Sequence, residues 1–486
     1  MLAVAVVLVL SALLSSCEGG YDYARVSRIG WEKETARAFS RAKLEDKPIF
    51  IYFSAIWCSW CREYEKELEE VASFIGERFV PLLLDADRDR DLFTRYGGRG
   101  TPFTVILSPG GEVLLRWNGS LSSEDLIALM RAEVETKPAD GKHTYVIKEA
   151  SQRSYKELLT HFLEDLGGRY DPVYGGFSGP SGMGKVFKWS TPLTYDYLLE
   201  RGLLVEEVLF SLRKDIEFLY DEVDGGFFNF YDRSRAYDFY FETSKSLSVN
   251  ALMIIALLEA YKKTGEELFL EKALGTYDYL KKTLFHEKSG CFLNAQVSDP
   301  SYYNLPREKR KKRKPPPTDT AIVVEYNSLS LLALLELYSL TQDEEFIRLA
   351  VRCARYILSD LFTGDALYRY IDVRNGKRGL KNNARDIAML TLALSHLSLE
   401  EEVRKVMDLI PERKDWVSAS VLALALSNRT FLEGLEVDLA YHNPDEFVFL
   451  LRALEVILFP YGKGLLLRHD AQGRLSGGGG ELFLRG

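Results

Sequence analysis

The chain is poor in cysteine and histidine, and it has no surplus of positive charge. Five cysteines among 486 residues are too few for a scaffold built on disulfides. The six histidines are scattered, and neither a second Cys-x-x-Cys pair nor a spaced histidine pair is present, so a zinc site would lack ligands. With 62 basic against 71 acidic residues, the net charge of −9 argues against nucleic acid as the principal partner.

The sequence also lacks an apolar run long enough to cross a bilayer, which takes about 20 residues. Residues 3–14 are apolar but too short, and they end in Leu14-Ser15-Ser16-Cys17, which resembles the bacterial lipobox. We therefore expect residues 1–17 to be a lipoprotein-type signal peptide that ends at the lipidation site Cys17, and residues 18–30 to be a flexible lead. Because no basic residue precedes the apolar run, an ordinary signal peptide and a cytoplasmic apolar tail are the alternatives.

One Cys-x-x-Cys pair is present, within residues 57–62 (WCSWCR), between an apolar run that predicts a buried strand and an amphipathic helical pattern. This order places Cys58 at the tip of a helix, where unpaired backbone N–H groups and the helix dipole favour a thiolate. Cys61 follows one turn later and can attack a mixed disulfide formed at Cys58. We predict an exposed, redox-active dithiol; an inert disulfide and half of a metal site are the alternatives.

Residues 31–136 alternate helical and strand patterns in the order helix, strand, Cys-x-x-Cys helix, strand, helix, Thr-Pro strand, hairpin strand, helix. This order and the Thr101-Pro102 pair resemble the thioredoxin fold. The resemblance implies that Pro102 is cis and faces the dithiol, and that Thr101 and Pro102 dock the substrate backbone. Trp57 and Trp60 would shape an apolar rim. Tyr52 stands where thioredoxins carry a buried aspartate.

After a linker predicted at 137–150, about twelve apolar-periodic helices follow in residues 151–460, and 461–486 form a C-terminal segment and tail. An imperfect repeat separates the helices: residues 170–177 (YDPVYGGF) are echoed by 220–227 (YDEVDGGF) and by weaker copies at 285–292 and 361–368. Repeated helical hairpins that each bury one face can close into a ring. This pattern resembles the (α/α)6 toroid of six-hairpin glycosidase-like proteins.

The combination of the two regions resembles the spermatogenesis-associated thioredoxin-like family. The matching residues are Lys47-Pro48 before the Cys-x-Trp-Cys motif, the repeat at 170–177 and, loosely, Phe241-Glu242. Ser59 and Arg62 replace the histidines that usually follow the two cysteines in that family, and Tyr240 stands where a histidine precedes Phe-Glu. The fold class that follows is a multidomain chain, with an α/β thioredoxin-like domain followed by an all-α toroid.

The repeat turns leave two functions open for the toroid. Their aromatic residues either line a glycan-binding cleft or, as we favour, plug the centre of the ring. An acid/base pair for glycoside hydrolysis needs two carboxyl groups about 5–9.5 Å apart. The candidate carboxylates lie near helix starts: Asp171, Asp224, Glu242, Asp319, Glu325 and Asp386.

Two further features are interpreted structurally. Cys291 and Cys353 are expected to be buried apolar thiols, with a disulfide as the less favoured alternative. Residues 307–314 (REKRKKRK) hold seven basic residues in eight positions and are expected to form a solvated loop; contact with anionic headgroups is the alternative.

The function predicted from the sequence is thiol–disulfide exchange by an extracytoplasmic, membrane-anchored lipoprotein of the bacterial envelope. Cys58 and Cys61 are the catalytic residues, and Trp57, Trp60, Thr101 and Pro102 dock the substrate. Protein thiols and disulfides are the expected partners, with no metal, no cofactor and no nucleic acid. The alternative is a carbohydrate-binding or carbohydrate-active toroid for which the thioredoxin-like domain is an accessory.

Overall fold

The computed structural model describes residues 28–131, 144–179, 187–232, 242–412, 414–439 and 443–459. These residues fall into two compact units, divided between residues 136 and 137, and each unit is described by itself. The predicted signal peptide, Cys17, the Tyr240-Phe241 pair and the C-terminal tail lie outside the described residues.

The first unit has five helices and four strands in its described part, in the order that the sequence predicts. The elements are α1 (Thr35–Glu45), β1 (Ile49–Ser54), α2 (Ser59–Glu70), α3 (Ala72–Arg78), β2 (Val80–Asp85), α4 (Arg90–Arg95), β3 (Phe103–Leu107), β4 (Val113–Asn118) and α5 (Ser123–Arg131). The sequence predicts one Cys-x-x-Cys helix before the second strand, but the structure has two, α2 and α3, which are divided at Val71. There the backbone N–H bonds to the carbonyls of Leu68 and Glu69, which tightens and ends the helical ladder.

The four strands form one sheet in the order β2-β1-β3-β4. Strand β1 is parallel to β2 and antiparallel to β3, and β3 forms a hairpin with β4. Every residue of β1, β2 and β3 is buried, because apolar clusters with helical residues cover both faces of the sheet. The predicted thioredoxin-like α/β architecture is confirmed.

Six helices of the second unit form a closed ring. In ring order they are α7 (Pro192–Arg201), α9 (Leu247–Thr264), α13 (Val324–Thr341), α15 (Ala384–His396), α17 (Trp416–Leu426) and α18 (Pro444–Leu458). Each packs against the next, and α18 packs against α7. Eight consecutive residues of α17, from Val417 to Leu424, are buried, as expected for a helix that is covered on all sides.

Five longer helices lie outside this ring in the described residues. They are α6 (Gln152–Arg169), α8 (Val205–Leu219), α10 (Glu267–Tyr279), α14 (Glu344–Tyr356) and α16 (Glu400–Met407). Two four-residue helices, α11 (Pro300–Tyr303) and α12 (Arg307–Arg310), lie in the connection between α10 and α13. Outer and inner helices alternate along the chain from α6 to α17, and the last inner helix, α18, packs against the outer helix α6. The predicted toroid of helical hairpins is therefore confirmed.

Short strands accompany the hairpins. They are β5 (Thr144–Ile147), β6 (Phe187–Lys188), β7 (Tyr231–Asp232), β8 (Lys245–Ser246), β9 (Phe285–His286), β10 (Cys291–Phe292), β11 (Ala295–Gln296), β12 (Thr318–Asp319), β13 (Ala321–Val323), β14 (Tyr368–Asp372), β15 (Lys377–Lys381) and β16 (Leu435–Asp438). Strand β5 falls within the predicted linker, yet it pairs with β16 and so belongs to the second unit. Residues 144–150, which were predicted as the end of the linker, therefore belong at least in part to the second unit.

The repeated turns have the same backbone geometry in their first two copies. Gly175 and Gly225 each donate their N–H to the carbonyl of the aspartate four residues earlier, both at 2.8 Å. Gly225 has a positive φ of 81°, and a Cβ there would lie 2.9 Å from a backbone oxygen of α10. A buried lysine fixes each turn: Lys188 Nζ donates to Gly175 O, and Lys245 Nζ donates to Gly225 O.

Buried asparagines of the inner helices hold the aromatic residues that follow two of these turns. Asn250 accepts the backbone N–H of Phe227 at 2.6 Å and donates to its carbonyl at 3.0 Å. Asn327 holds Phe292 in the same way, at 2.8 and 3.0 Å. Phe177, Phe227 and Phe292 are at most 1% exposed. These aromatic side chains are therefore core residues, which agrees with the favoured packing role.

Cys291 and Cys353 form a disulfide, with Cα atoms 4.7 Å apart. The expectation of two buried thiols was therefore wrong, although both residues are fully buried. The physical reason lies in the topology of the ring. Strand β10 packs against α14, which brings together two cysteines that are 62 residues apart in sequence. None of the helices in the described ranges combines the length and the apolar composition that a membrane span requires.

Polar contacts join the two ends of the ring. Arg452 on α18 binds Asp196 and Glu200 on α7 at 2.7 and 2.8 Å, with all three side chains at most 8% exposed. A second group surrounds Glu455, which accepts from Arg201 and from Tyr197. These residues are more than 250 positions apart in sequence, so the contacts form only when the ring closes.

We predict that Arg452→Met destabilises the second unit by about 3–5 kcal/mol, because it leaves the buried Asp196 carboxylate without its cation and removes one of the two cations that bind Glu200. Urea unfolding of the full chain, followed by circular dichroism, measures this change in the free energy of unfolding. The matched control is Arg348→Met, which removes an exposed ion pair on α14 and should have little effect. Equal unfolding midpoints for the two variants would contradict the role of Arg452 in ring closure.

Candidate functional site

The site is built where β1 ends and α2 begins. A short turn follows Ser54, with the Cys58 N–H donating to Ala55 O at 3.1 Å. Cys58 is then the residue that caps α2, and its sulfur accepts the backbone N–H of Cys61 at 3.1 Å. The Cys58 sulfur therefore lies at the positive end of a helix, where a thiolate is stabilised.

The four residues that the sequence predicts for the dithiol and its docking loop lie together. Cys58 Sγ is 2.6 Å from Cys61 Sγ and 3.7 Å from the carbonyl oxygen of Thr101. The peptide bond between Thr101 and Pro102 is cis, as the resemblance to thioredoxin implies. Cys58 is therefore adjacent to both its partner sulfur and a backbone carbonyl that an extended substrate would approach.

The expected exposure of Cys58 was wrong. Cys58 and Cys61 are each 1% exposed, and the partly buried side chains of Trp57 and Trp60 pack against them. The Trp57 indole N–H donates to Asp87 Oδ2 at 2.8 Å, in the turn after β2. The apolar rim predicted for Trp57 and Trp60 thus covers the dithiol, and a substrate sulfur reaches Cys58 only if this cover moves.

A polar group replaces the buried aspartate of thioredoxins. The Tyr52 hydroxyl lies 3.3 Å from the carbonyl oxygen of Cys61 and 3.4 Å from Glu65 Oε1, which also accepts from Ser54 Oγ at 3.1 Å. Burial raises the pKa of the Tyr52 phenol, and the nearby Cys61 and Glu65 raise it further. Tyr52 therefore remains a neutral hydrogen-bond donor. Glu65, one helical turn after Cys61, is the carboxylate that contacts Tyr52 and Ser54 on the Cys61 side of the dithiol.

A second polar group lies where the inner helices of the toroid begin. We name it the mouth network and define it as Glu325, Arg369, Arg385, Asp386 and Glu446. Arg369 binds Asp386 at 2.8 Å and Glu325 at 3.0 Å, and Arg385 binds Glu446 at 2.5 Å. These contacts bring the starts of α13, α15 and α18 to one end of the ring.

The mouth network has few features of an acid/base pair. One guanidinium nitrogen of Arg385 lies 3.9 Å from Glu325 Oε1 and 2.5 Å from Glu446 Oε1. The two carboxylates are therefore close to each other, but they share one cation. Burial raises the pKa of Asp386 to about 6 although Arg369 opposes this, yet the side chain is fully buried. Two aromatic residues lie near this network. The Tyr326 ring is 5.6 Å from the Arg369 guanidinium group, and the partly exposed Trp416, which packs on Phe447, follows Asp415, a residue that Arg385 reaches at 3.8 Å.

The other carboxylates predicted as candidates are used in local structure. Asp171 accepts the N–H groups of its own turn, Glu242 accepts from Ser244 N, and Asp319 accepts from Asn294 Nδ2. Asp224 binds Arg310. Only Glu325 and Asp386, of the six candidates, are brought together by the contacts described.

Sequence reasoning missed the residues that act through long-range contacts. Asp87 and Glu65 belong to the dithiol site, and Arg369 and Arg385 organise the mouth network. A signal existed for Glu65, which follows Cys61 by one helical turn and so shares its helix face. No local pattern distinguishes Asp87 from the other acidic residues after β2. The described residues hold no cluster of three or more His, Cys, Asp or Glu side chains that could bind a metal ion.

Comparison with known proteins gives the same organisation. Residues 35–133 match the family model described as a thioredoxin-like domain. The chain is 28% identical over 110 residues to a thioredoxin from Rhodospirillum rubrum, which covers 23% of this chain and 98% of that protein. The first unit is therefore a thioredoxin-like domain, and this supports a redox-type function.

The longer match extends into the toroid. The chain is 25% identical over 317 residues to spermatogenesis-associated protein 20 of Mus musculus, covering 56% of this chain and 39% of that relative. The match thus spans well under two thirds of the relative. Among solved structures, cellobiose 2-epimerase from Spirochaeta thermophila covers 63% of this chain and 98% of its own, with 16% identity and a TM-score of 0.46. The family resemblance predicted from the sequence is confirmed.

We predict that Asp87→Ala increases the rate at which Cys58 is alkylated by iodoacetamide. Loss of a hydrogen bond of about 1 kcal/mol should open the Trp57 cover about fivefold more often. Mass spectrometry of the reduced full chain gives the alkylation rate. Glu77→Ala, which removes an exposed carboxylate from the same domain, is the control and should leave the rate unchanged. An unchanged rate in Asp87→Ala would show that Trp57 does not control access.

Proposed function

We propose that the protein is a thiol–disulfide oxidoreductase that acts through Cys58 and Cys61, outside the cytoplasm and tethered to a membrane through Cys17. The observation that carries the proposal is the position of Cys58. Its sulfur accepts a backbone N–H at a helix start, lies 2.6 Å from Cys61 Sγ and faces the carbonyl of Thr101. A thiolate at such a position is stabilised by the N–H groups of the helix end and lies close to its resolving partner.

The reaction proceeds by two exchanges. The Cys58 thiolate attacks one sulfur of a substrate disulfide, the S–S bond breaks, and the released substrate thiolate takes a proton. Cys61 then loses its proton towards the Tyr52 and Glu65 group and attacks Cys58 Sγ, which releases the second substrate thiol. The substrate disulfide gains two electrons, and Cys58 and Cys61 become a disulfide. A cellular dithiol restores the reduced pair, and the same steps in reverse oxidise a substrate dithiol.

Support for a location outside the cytoplasm comes from the toroid. A disulfide that joins β10 to α14 is expected in an oxidising compartment, since cytosolic thiols are kept reduced. The lipobox-like segment that ends at Cys17 is consistent with such a location. The expected partners are therefore exported proteins with exposed thiols or disulfides.

We predict that Cys61→Ser traps covalent complexes through Cys58, because the mixed disulfide can no longer be resolved. The full-length variant is expressed in cells, thiol exchange is quenched with acid, and free thiols are then alkylated. Covalent complexes are detected on a non-reducing gel and should disappear on a reducing gel. The control is the Cys58→Ser/Cys61→Ser double variant, which should form no complex. Complexes that persist in the double variant, or none in the single variant, would remove the proposal.

A second function, binding of carbohydrate by the toroid, has one observation in its favour. Trp416 is partly exposed beside the charged mouth network, and aromatic faces flanked by charged side chains are suited to sugars. The aromatic residues of the repeat turns, by contrast, are buried. Hydrolysis has less support than binding, because the paired carboxylates are neutralised by arginines.

We predict, if the toroid binds glycans, that Trp416→Ala weakens retention on an array of neutral oligosaccharides by about tenfold, as expected for loss of a well-packed aromatic contact. Phe459→Ala removes an exposed aromatic side chain at the far end of α18 and is the control. Thermal unfolding of both variants tests for misfolding. If neither the unmodified chain nor the control binds any oligosaccharide, the carbohydrate function is excluded for this array.

A further inference from the structure

A strongly basic segment lies in the connection between α10 and α13. Residues 307–314 read REKRKKRK, and the first four of them form the short helix α12. Three prolines follow at 315–317. A segment of this composition is expected to be mobile, because like charges repel and no apolar residue anchors it. The structure shows a specific anchor.

Arg310 is the anchor. It is 6% exposed, and its guanidinium group lies 2.8 Å from both carboxylate oxygens of Asp221 and 3.1 Å from Asp224 Oδ2. It also donates to the backbone carbonyls of Leu305 and Tyr303. One basic residue of the segment is therefore buried and fully engaged, which is unusual for arginine.

The partner of Arg310 is itself fixed. Asp221 belongs to the repeat turn at 220–227, where its backbone pairs with Gly226 and its side chain also binds the buried Lys245 at 2.8 Å. Burial raises the pKa of Asp221, but Lys245 and Arg310 outweigh this and hold the pKa below its usual value. The carboxylate therefore stays charged at neutral pH, and the segment is held on a rigid turn.

The other six basic residues of the segment are exposed: Arg307, Lys309, Lys311, Lys312, Arg313 and Lys314. Arg307 and Arg313 donate to the carbonyls of Glu222 and Ser301, which orient the segment without neutralising it. Lys311 pairs with Glu308, the one acidic residue of the segment. In the part of the chain that the structure describes, no ion pair involves the remaining three lysines.

We propose that residues 307–314, which we name the basic platform, dock on the anionic phospholipid headgroups of the membrane to which the chain is tethered. This inference rests on the proposed location. The net charge of the whole chain is −9, so a membrane of anionic lipids repels most of the surface and attracts this patch. Each basic residue near such a surface strengthens binding about fivefold. A lipid anchor and a polybasic patch are the two signals that together hold a protein on a membrane.

The rigid anchor also sets an orientation. A mobile tail would bring the chain to the membrane in many orientations, whereas a platform fixed to the turn at 220–227 holds the toroid in one. Preorganisation also reduces the entropy that is lost on binding. The basic platform is thus a docking surface of defined geometry, and Arg310 is its positioning residue.

The test measures binding to lipid vesicles by the full chain carrying Cys17→Ala, so that no lipid anchor contributes. In this background, Lys309, Lys311, Lys312 and Lys314 are changed together to Gln. The control changes four exposed lysines elsewhere on the second unit, Lys156, Lys263, Lys282 and Lys288, to Gln. Vesicles contain phosphatidylcholine with or without phosphatidylglycerol, and sedimentation gives the bound fraction.

We predict that the unsubstituted background binds vesicles with phosphatidylglycerol, that added salt weakens this binding, and that the platform variant binds at least about tenfold more weakly. The lysine control should keep most of its binding. Arg310→Met should weaken binding more than Arg313→Met does, because both remove one charge but only the first releases the anchor. Thermal unfolding identifies any variant that has lost its fold.

Three results would overturn the proposal: equal binding by the platform variant and the lysine control, equal binding to vesicles without phosphatidylglycerol, or binding of soluble dextran sulfate with none of the vesicles. The last result would point to an acidic glycan instead. The proposed tether is tested separately by metabolic labelling of the chain with palmitate, which Cys17→Ala should abolish. Failure of that labelling, with vesicle binding intact, would remove the tether and keep the platform.

Discussion

Closure of the helical ring is the constraint on which the second unit depends. The first and last inner helices, α7 and α18, meet through Arg452 with Asp196 and Glu200. The strands β5 and β16, from the two ends of the second unit's sequence, also pair. Hydrophobic packing can hold neighbouring hairpins in place, but it does not by itself determine which helix packs against the last inner helix, α18. The buried ion pairs between α7 and α18 favour this junction, because separating these two helices would leave buried charges without a partner. Every other feature of the toroid, including the shared end at which its inner helices begin, requires this closed arrangement.

The two units use their polar residues in different ways. In the thioredoxin-like domain, a small number of polar groups surround two sulfurs: a helix end, a backbone carbonyl, and the Tyr52, Ser54 and Glu65 group. In the toroid, buried charges hold the frame, as Lys188 and Lys245 do at the repeat turns. Charge buried for structure is already paired and has little capacity for chemistry. This contrast is the physical reason why we propose a reaction at the dithiol and not at the carboxylates of the ring.

Local patterns predicted most of the architecture, and long-range contacts explain the remainder. The order of the strands in the first domain agrees with the prediction, because apolar runs and turn residues are local signals. The repeat turns were also visible, since glycines and aromatics recur at fixed spacing. The cover over Cys58 was missed because Trp57 is held by Asp87, 30 residues away. The pairing of Cys291 with Cys353 and the anchoring of Arg310 by Asp221 depend in the same way on the ring topology.

The disulfide of the toroid has a consequence for a chain that also carries a reactive dithiol. A cross-link between residues 62 positions apart restricts the unfolded chain and is worth about 4 kcal/mol in the chain-entropy account. A thiolate of the same protein, or of a second copy, could in principle exchange with it and scramble the pairing. Cys291 and Cys353 are fully buried, so no attacking sulfur reaches them in the folded state. Burial therefore protects the Cys291–Cys353 disulfide from attack by the Cys58 thiolate in the folded chain. This protection is absent while the toroid is still folding.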